Sequence, residues 1–181
     1  MMRFPKSYAD RVARFRVPSG FLLVIAFALL ADPTLHSIAI GAPVSMVGLA
    51  IRAWAAGHLE KNRELTVSGP YAYVRNPLYG GTLLVAAGLV IATRRVELAL
   101  LFAAVFVFVY LPVIELEEQH LRKLFAGSDG YAATTPLLLP RGRTVNAREP
   151  FRFSLYRRNE EYQAALGYLA GLAWLVWRAT N

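Results

Sequence analysis

Five apolar stretches alternate with shorter polar segments along the chain. They cover residues 17–31, 35–56, 78–93, 98–114 and 162–177. Each is close to the ~20 residues that a helix needs to cross the bilayer core. Several are slightly shorter, so we expect tilting or local thinning to make up the difference. The pattern predicts an all-α fold, a polytopic membrane bundle of about five transmembrane helices.

The spans divide the chain into three parts. Residues 1–16 form a basic N-terminal arm, which we expect to be cytoplasmic and to include a short interfacial helix. Residues 17–145 contain four spans and the loops that join them, with the fourth span interrupted late by Pro112. Residues 146–181 add a basic segment and a fifth transmembrane helix, for which the sequence indicates no role.

The basic residues lie mainly on one predicted side of the membrane. The chain has 20 Lys and Arg against 12 Asp and Glu, a net charge of +8. The positive-inside rule therefore places the N-terminus in the cytoplasm and the C-terminus outside, with Arg94 and Arg95 as exceptions. The cytoplasmic groups are Arg3, Lys6, Arg11, Arg14 and Arg16, then Lys61, Arg63 and Arg75, and finally Arg122, Lys123, Arg141, Arg143, Arg148, Arg152, Arg157 and Arg158.

The composition of the chain limits the kinds of partner and site that it can have. With 56% hydrophobic residues, the positive charge favours anionic membrane lipid over nucleic acid. The absence of cysteine excludes disulfides, thiolate metal sites and a cysteine nucleophile. Small residues on two spans predict close helix packing within the monomer, with dimerisation as the alternative. These are Gly41, Ser45 and Gly48 on the second span, and Gly167 and Gly171 on the fifth.

Arg52 is a cation within the second apolar stretch. An arginine at this depth is costly and normally faces the helix bundle or a polar cavity. The alternative is that it extends to the cytoplasmic interface, one helical turn away. Both interpretations are open at this stage.

The segment "GPYAYVRNPLYGG", residues 69–81, combines rigid and polar residues at the entrance to the third span. Asn76 precedes a proline and is biased away from helical dihedral angles, while Pro77 suits the first position of a helix. A helix start presents unpaired N–H groups and a positive dipole end, which suit an anionic group. Tyr71, Tyr73 and Tyr79 add aromatic faces. An interfacial aromatic belt with an ordinary helix start is the alternative.

Three carboxylates follow the fourth span within one helical turn. Helical spacing puts Glu115 and Glu118 on one face and Glu117 on another. Because such a cluster repels itself, we expect a cation among the carboxylates, either an arginine, a metal or a cationic ligand. A solvated acidic patch is the alternative.

Taken together, these features resemble the superfamily of isoprenylcysteine carboxyl methyltransferases and phospholipid methyltransferases, which are integral membrane enzymes. The resemblance lies in the loop at residues 65–80, the motif at residues 115–131 and the proline-containing loop at residues 136–140. It covers about residues 45–141, so that residues 17–145 correspond to the methyltransferase core.

The resemblance implies transfer of a methyl group from S-adenosylmethionine, with S-adenosylhomocysteine as the product. The acceptor would be a lipophilic small molecule or lipidated substrate at the cytoplasmic face, and no metal is implied. The expected substrate-binding residues are Arg52 and Tyr131, and the expected catalytic residues are Arg75, Glu117 and Glu118. The expected cofactor-binding residues are Glu64, Leu65, Thr66, Tyr71, Asn76, Pro77, Leu78, Tyr79 and Glu117.

Two positions depart from the family pattern and leave the acceptor open. Asn76 stands where many members have histidine, and it cannot titrate. Val113 stands where the isoprenylcysteine enzymes have an arginine that meets the acceptor carboxylate, which argues against a prenylcysteine carboxylate. Lipophilic carboxylates, thiols and lipid amines are all candidate acceptors. The alternative functions are an NADPH-dependent membrane reductase of related architecture and a non-catalytic lipid-binding membrane protein. Oligomeric state is open as well.

Overall fold

The computed structural model describes residues 4–140, 142 and 149–181. Arg3, Arg141, Arg143, Arg148 and the predicted boundary between residues 145 and 146 lie outside this part. The helices are α1 (Lys6–Ala13), α2 (Arg16–Leu30), α3 (Leu35–Ala56), α4 (Pro77–Thr93), α5 (Val96–Val105), α6 (Leu111–Leu124), α7 (Ser128–Thr134), α8 (Phe153–Arg158) and α9 (Tyr162–Thr180), with a 3₁₀ turn at Gly69–Ala72 and a π-helical turn at Phe106–Tyr110.

The all-α prediction is confirmed, and each of the five predicted stretches forms a helix. Among the described residues, two helices are long and apolar enough to cross a membrane, α3 and the continuous helix Val96–Leu124. The pair α1 and α2, bent by 57°, would be a third span, and α4 is apolar but shorter. The chain is thus an integral membrane protein, while the count of five spans stays a prediction.

Helices α3 and α4 run antiparallel and touch through glycines. A Cβ atom at Gly41 would lie 2.2 Å from the carbonyl oxygen of Gly88. Two helical turns further along α3, a Cβ atom at Gly48 would lie 2.6 Å from the carbonyl oxygen of Gly81. Neither position leaves room for a side chain, so the backbones approach as closely as the sequence predicts.

Ser45 lies between these two contacts and adds a hydrogen bond, its hydroxyl donating to the carbonyl oxygen of Val85 at 2.9 Å. The prediction of close helix packing is wrong for both glycines of α9. Nothing lies within 4 Å of a Cβ atom built on Gly167, and at Gly171 the nearest atom belongs to Phe27, at 4.0 Å. Within the described residues, the close contacts of these small residues lie between α3 and α4, where glycines of the two helices face each other.

The start of α3 is fixed against the end of α4. Thr34 and Ser37 form a reciprocal capping box that satisfies N–H groups at the helix start. The Ser37 hydroxyl also donates to the carbonyl oxygen of Ala92 at 2.8 Å. The backbone N–H of Asp32 donates to the carbonyl oxygen of Thr93 at 3.1 Å. The opposite end of the pair, where α3 ends and α4 begins, carries the predicted site residues.

The long helix Val96–Leu124 passes through Pro112 without stopping. Proline has no N–H, so it cannot donate to the carbonyl of Phe108 four residues earlier. The backbone hydrogen bonds of the helix change to the π-helical spacing in the turn just before the proline. The Tyr8 hydroxyl donates to the Phe108 carbonyl oxygen at 2.8 Å. The predicted interruption is therefore a local adjustment, and it gives α1 a docking point on this helix.

The outer surface of α2 is apolar along its length. The helix buries none of its residues within the protein, and Phe21, Leu22 and Ile25 are each more than half exposed. Apolar side chains on this scale suit a hydrocarbon environment rather than water. The surface therefore agrees with a protein embedded in lipid.

The glycine contacts predict unequal effects of the same substitution at two positions. Gly88→Ala would place a Cβ atom 2.3 Å from the Ser45 hydroxyl, so we expect a loss of about 1–3 kcal/mol through overpacking. Gly167→Ala meets open space, and helix propensity should leave stability unchanged or raise it by up to ~1 kcal/mol. Thermal unfolding in detergent measures both. A Gly88→Ala protein at least as stable as the parent would contradict the packing assignment.

Candidate functional site

A cavity of about 780 Å³ lies where the end of α3, the start of α4 and the helix α6 meet. All residues that the sequence singled out as site residues line it. They are Arg52, Glu64, Leu65, Thr66, Tyr71, Arg75, Asn76, Pro77, Leu78, Tyr79, Glu117, Glu118 and Tyr131. The structure thus brings together residues from three separate segments of the chain, while their individual roles stay predictions.

Tyr79 and Glu117 join the two halves of this cavity. The Tyr79 hydroxyl lies 3.0 Å and 3.1 Å from the two carboxylate oxygens of Glu117 and donates to them. Tyr79 is buried, and its ring meets that of Tyr110 edge-on at 6.2 Å between centroids. A tyrosine early in α4 and a glutamate on α6 therefore face the same space.

The start of α4 has the geometry that its proline predicts. The helix begins at Pro77, and Asn76 before it has φ −128° and ψ 62°, outside the helical region. The backbone N–H groups of Arg75 and Asn76 donate to the carbonyl oxygens of Pro136 and Leu137 at 2.9 Å and 3.1 Å. The proline-containing loop thus holds the approach to α4, a role that the sequence motif alone did not indicate.

Two tyrosines brace the loop before α4. The Tyr131 hydroxyl donates to the carbonyl oxygen of Tyr71 at 2.7 Å. Burial raises the pKa of both Tyr71 and Tyr131 above the ordinary value near 10. Both phenols therefore stay neutral at physiological pH, and Tyr131 remains a hydrogen-bond donor.

Gly69 is required where this loop turns. Its φ of +57° is unfavourable for other residues, and a Cβ atom there would lie 2.7 Å from the ring of His58. The His58 ring is buried, with Nδ1 2.9 Å from the carbonyl oxygen of Trp54 and Nε2 3.1 Å from that of Glu149. The turn before Tyr71 is therefore packed directly against the end of α3.

The three glutamates divide as helical spacing predicts. Glu117 lines the main cavity, whereas Glu115 and Glu118 both line a second cavity of about 440 Å³ on the other side of α6. Glu118, which reaches both cavities, forms an ion pair with Arg75 at 2.6 Å, and Glu117 forms one with Arg16 at 3.3 Å. Of the cations that the sequence left open, arginines are the ones found beside these carboxylates.

Arg16 is a cavity residue that sequence reasoning missed. It lies at the start of α2, and its guanidinium carbon is 5.8 Å from the centroid of the Tyr79 ring. Both it and Glu117 are nearly half exposed, so their attraction is weakened by solvent. The sequence showed only a basic arm, and nothing local distinguished this arginine from its neighbours.

Arg52 faces the helix bundle and the cavity, and its charge is paired within the protein. Its Nε and Nη2 donate to the two carboxylate oxygens of Glu161 at 2.6 Å and 3.0 Å. Its Nη1 donates to the carbonyl oxygen of Leu78 at 3.3 Å and to the hydroxyl of Thr82 at 2.5 Å. The guanidinium lines the cavity, yet all three of its nitrogens are bonded to protein groups.

Asn159 and Glu161 also line the cavity, and they come from the C-terminal segment to which the sequence assigned no role. One signal was available. A buried Arg52 requires an acidic partner, and the pair Glu160–Glu161 lies directly before the last apolar stretch, on the predicted cytoplasmic side.

Among the described residues, no group of three or more His, Cys, Asp or Glu is placed to hold a metal ion.

The sequence profile of the phospholipid methyltransferase family matches residues 20–128 of this 181-residue chain. The match covers more than half of the chain and includes α3, α4 and the glutamate motif. The chain therefore belongs to the phospholipid methyltransferase family, within the superfamily that the sequence motifs resemble. The matched region ends before Tyr131, Asn159 and Glu161.

Two curated relatives resemble the chain. The nickel-cobalt-cadmium resistance protein NccN of Alcaligenes xylosoxydans xylosoxydans is 32% identical over 141 residues, 74% of this chain and 61% of that protein. The cobalt-zinc-cadmium resistance protein CzcN of Cupriavidus metallidurans is 35% identical over 104 residues, 56% of this chain and 47% of that protein. The chain thus spans less than two thirds of either relative. No solved structure matches it.

The buried tyrosines predict an alkaline loss of stability. In the unfolded chain Tyr71 and Tyr131 ionise near pH 10, whereas the folded protein keeps them protonated, so its stability falls as pH rises past ~10. The variant Tyr71→Phe/Tyr131→Phe should show a shallower fall in unfolding free energy between about pH 9 and about pH 11. The exposed Tyr162→Phe is the control, and equal slopes in all three proteins would contradict the assignment.

Proposed function

We propose that this protein is a multi-pass membrane methyltransferase that moves a methyl group from S-adenosylmethionine to a lipophilic acceptor. The observation that carries the proposal is the hydrogen bond from Tyr79 to Glu117 across one cavity. Family membership supports methyl transfer in general, and the cavity supports this cofactor in particular.

The cavity fits the cofactor in size and in charge. Its volume, about 780 Å³, lies within the usual range for small-molecule sites. Glu117 and the face of Tyr79 suit the ammonium and sulfonium groups. Arg75 has a buried Nε atom without a hydrogen-bond partner among the described residues, and a ligand carboxylate would satisfy it.

Three segments of the chain would hold the cofactor together. The loop after α3 forms one wall, the 3₁₀ turn a second and the start of α4 a third. The residues are Glu64, Leu65 and Thr66, then Tyr71, then Asn76, Pro77 and Leu78. The bound cofactor would supply an activated methyl group on a sulfonium, and the work of the protein is to orient that group and exclude water.

Methyl transfer is a displacement that depends mainly on alignment. The residues that line the cavity would favour this transfer by aligning the two reacting groups and keeping water away from a cationic sulfur. An amine or hydroxyl acceptor must also lose a proton, and Glu117 or Glu118 would accept it. A carboxylate acceptor requires no base. Asn76 contributes a hydrogen-bonding group that cannot titrate.

The surroundings of the cavity favour a lipophilic acceptor and a cytoplasmic orientation. Val113, Leu116 and Leu121 line the cavity alongside the charged groups. Lys6 and Arg11 lie on α1, which packs against α6 near the cavity. The positive-inside rule then assigns this end of the bundle to the cytoplasm.

Ligand binding separates this proposal from a nicotinamide-dependent reductase. A ligand that binds only the folded protein stabilises it by about 2.7 kcal/mol at a hundred times its dissociation constant. S-adenosylhomocysteine should therefore raise the melting temperature of the purified protein, whereas NADPH should not. A shift with NADPH alone would favour the reductase, and a shift with neither would favour a non-catalytic lipid-binding protein.

Substitutions on the two central residues test the site itself. Glu117→Gln and Tyr79→Phe should each weaken S-adenosylhomocysteine binding about tenfold or more, because a charge-assisted hydrogen bond is worth roughly 1.5–3 kcal/mol. Both should also slow transfer of labelled methyl to a lipid extract, with mass spectrometry identifying the labelled product. Glu97→Gln is the control, because Glu97 is exposed at the start of the helix Val96–Leu124 that also carries Glu117. Wild-type binding by both site variants would contradict the proposal.

A further inference from the structure

The C-terminal segment is bonded to the end of α3. The side-chain amide of Asn159 donates to the carbonyl oxygens of Ala56 and Leu59, both at 2.9 Å. The backbone N–H of Arg152 donates to the carbonyl oxygen of Gly57 at 2.9 Å. These bonds satisfy carbonyl groups that a helix end leaves unpaired. They also place the segment beside the loop that the proposed cofactor site includes.

Glu161 is the most buried carboxylate of the cavity, with 9% of its surface exposed. It stands just before the first residue of α9 and accepts from two nitrogens of Arg52. A two-point contact of this kind fixes the orientation of the planar guanidinium as well as its position. Glu161 therefore determines where the third nitrogen of Arg52 points.

That third nitrogen reaches the start of α4. Arg52 Nη1 donates to the carbonyl oxygen of Leu78 and to the hydroxyl of Thr82. Leu78 directly precedes Tyr79, whose hydroxyl contacts Glu117. Contacts therefore run from α9 through Arg52 to the residues at the centre of the proposed site.

We propose that the C-terminal segment, which lies beyond the family-matched residues, is a working part of this site, with Glu161 as a positioning residue. Glu161 orients Arg52, and Arg52 holds the start of α4 in the position that presents Tyr79 to the cofactor. The inference rests on the proposed function, because its effect is measured on S-adenosylhomocysteine binding.

Stability and positioning can be separated at this ion pair. Removing one partner leaves a buried charge uncompensated and destabilises a protein strongly, whereas replacing both partners with apolar residues is often neutral or stabilising. The double variant Arg52→Met/Glu161→Leu should therefore fold, yet it lacks every nitrogen that reaches Leu78 and Thr82. A purely structural ion pair would leave ligand affinity unchanged in this variant.

The experiment measures the melting temperature and the dissociation constant for S-adenosylhomocysteine by calorimetry in detergent. The double variant should melt near the parent but bind about tenfold or more weakly. Glu160→Gln is the matched control, since Glu160 is the exposed neighbour of Glu161 and its side chain accepts a hydrogen bond from Gln163. It should bind as the parent does. Parent-like affinity in a stably folded double variant would overturn the inference.

Single variants show whether Glu161 acts through Arg52 or whether each residue contacts the ligand directly. They also provide a test if the double variant does not fold. Arg52→Gln and Glu161→Gln, measured below their melting temperatures, should each weaken binding about as much as the double does, because they break one chain of contacts. Parent-like affinity in Glu161→Gln, or losses that multiply in the double, would contradict a positioning role. If the parent itself fails to bind S-adenosylhomocysteine, the proposed function fails first.

Discussion

The arrangement of this protein depends on one cation within an apolar helix. A guanidinium among hydrocarbon must have its charge and its donors satisfied by protein. Arg52 achieves this with the carboxylate of Glu161, just before α9, and two oxygens from α4. Three helices are thereby tied together at one end of the bundle. The polar cavity lies at that same end, because the groups that satisfy Arg52 also form its wall.

Along its length, the α3–α4 pair is held by a different kind of contact. Gly41 and Gly48 face glycines on α4 so closely that the backbones leave no space for side chains. Close packing along the pair and hydrogen bonding at its cavity end have different effects on the two helices. The first gives the two helices a fixed separation, and the second fixes the start of α4 against Arg52. A site that depends on alignment benefits from both.

Much of this was predictable from residues that are near each other in the chain. The start of α4 follows from Asn76 and Pro77, and the division of the glutamates follows from helical spacing. Helix positions follow from runs of apolar residues. What the sequence could not give were partners distant along the chain. Arg16 reaches Glu117 from α2, and Glu161 reaches Arg52 from α9. No local pattern distinguished Arg16 from the other basic residues of the arm, and the signal for Glu161 lay in the requirement of Arg52, 109 positions away.

The missing donor at Pro112 has a consequence for how the chain is assembled. The carbonyl of Phe108 is bonded by Tyr8, one hundred positions earlier in the sequence. During synthesis the first helix therefore emerges long before its anchoring point exists, and it can seat only when the later membrane helix is in place. Until then that carbonyl lacks its native bond in a setting where an unpaired group is costly. The order in which the chain is made thus delays the docking of α1 until the helix Val96–Leu124 has been synthesised.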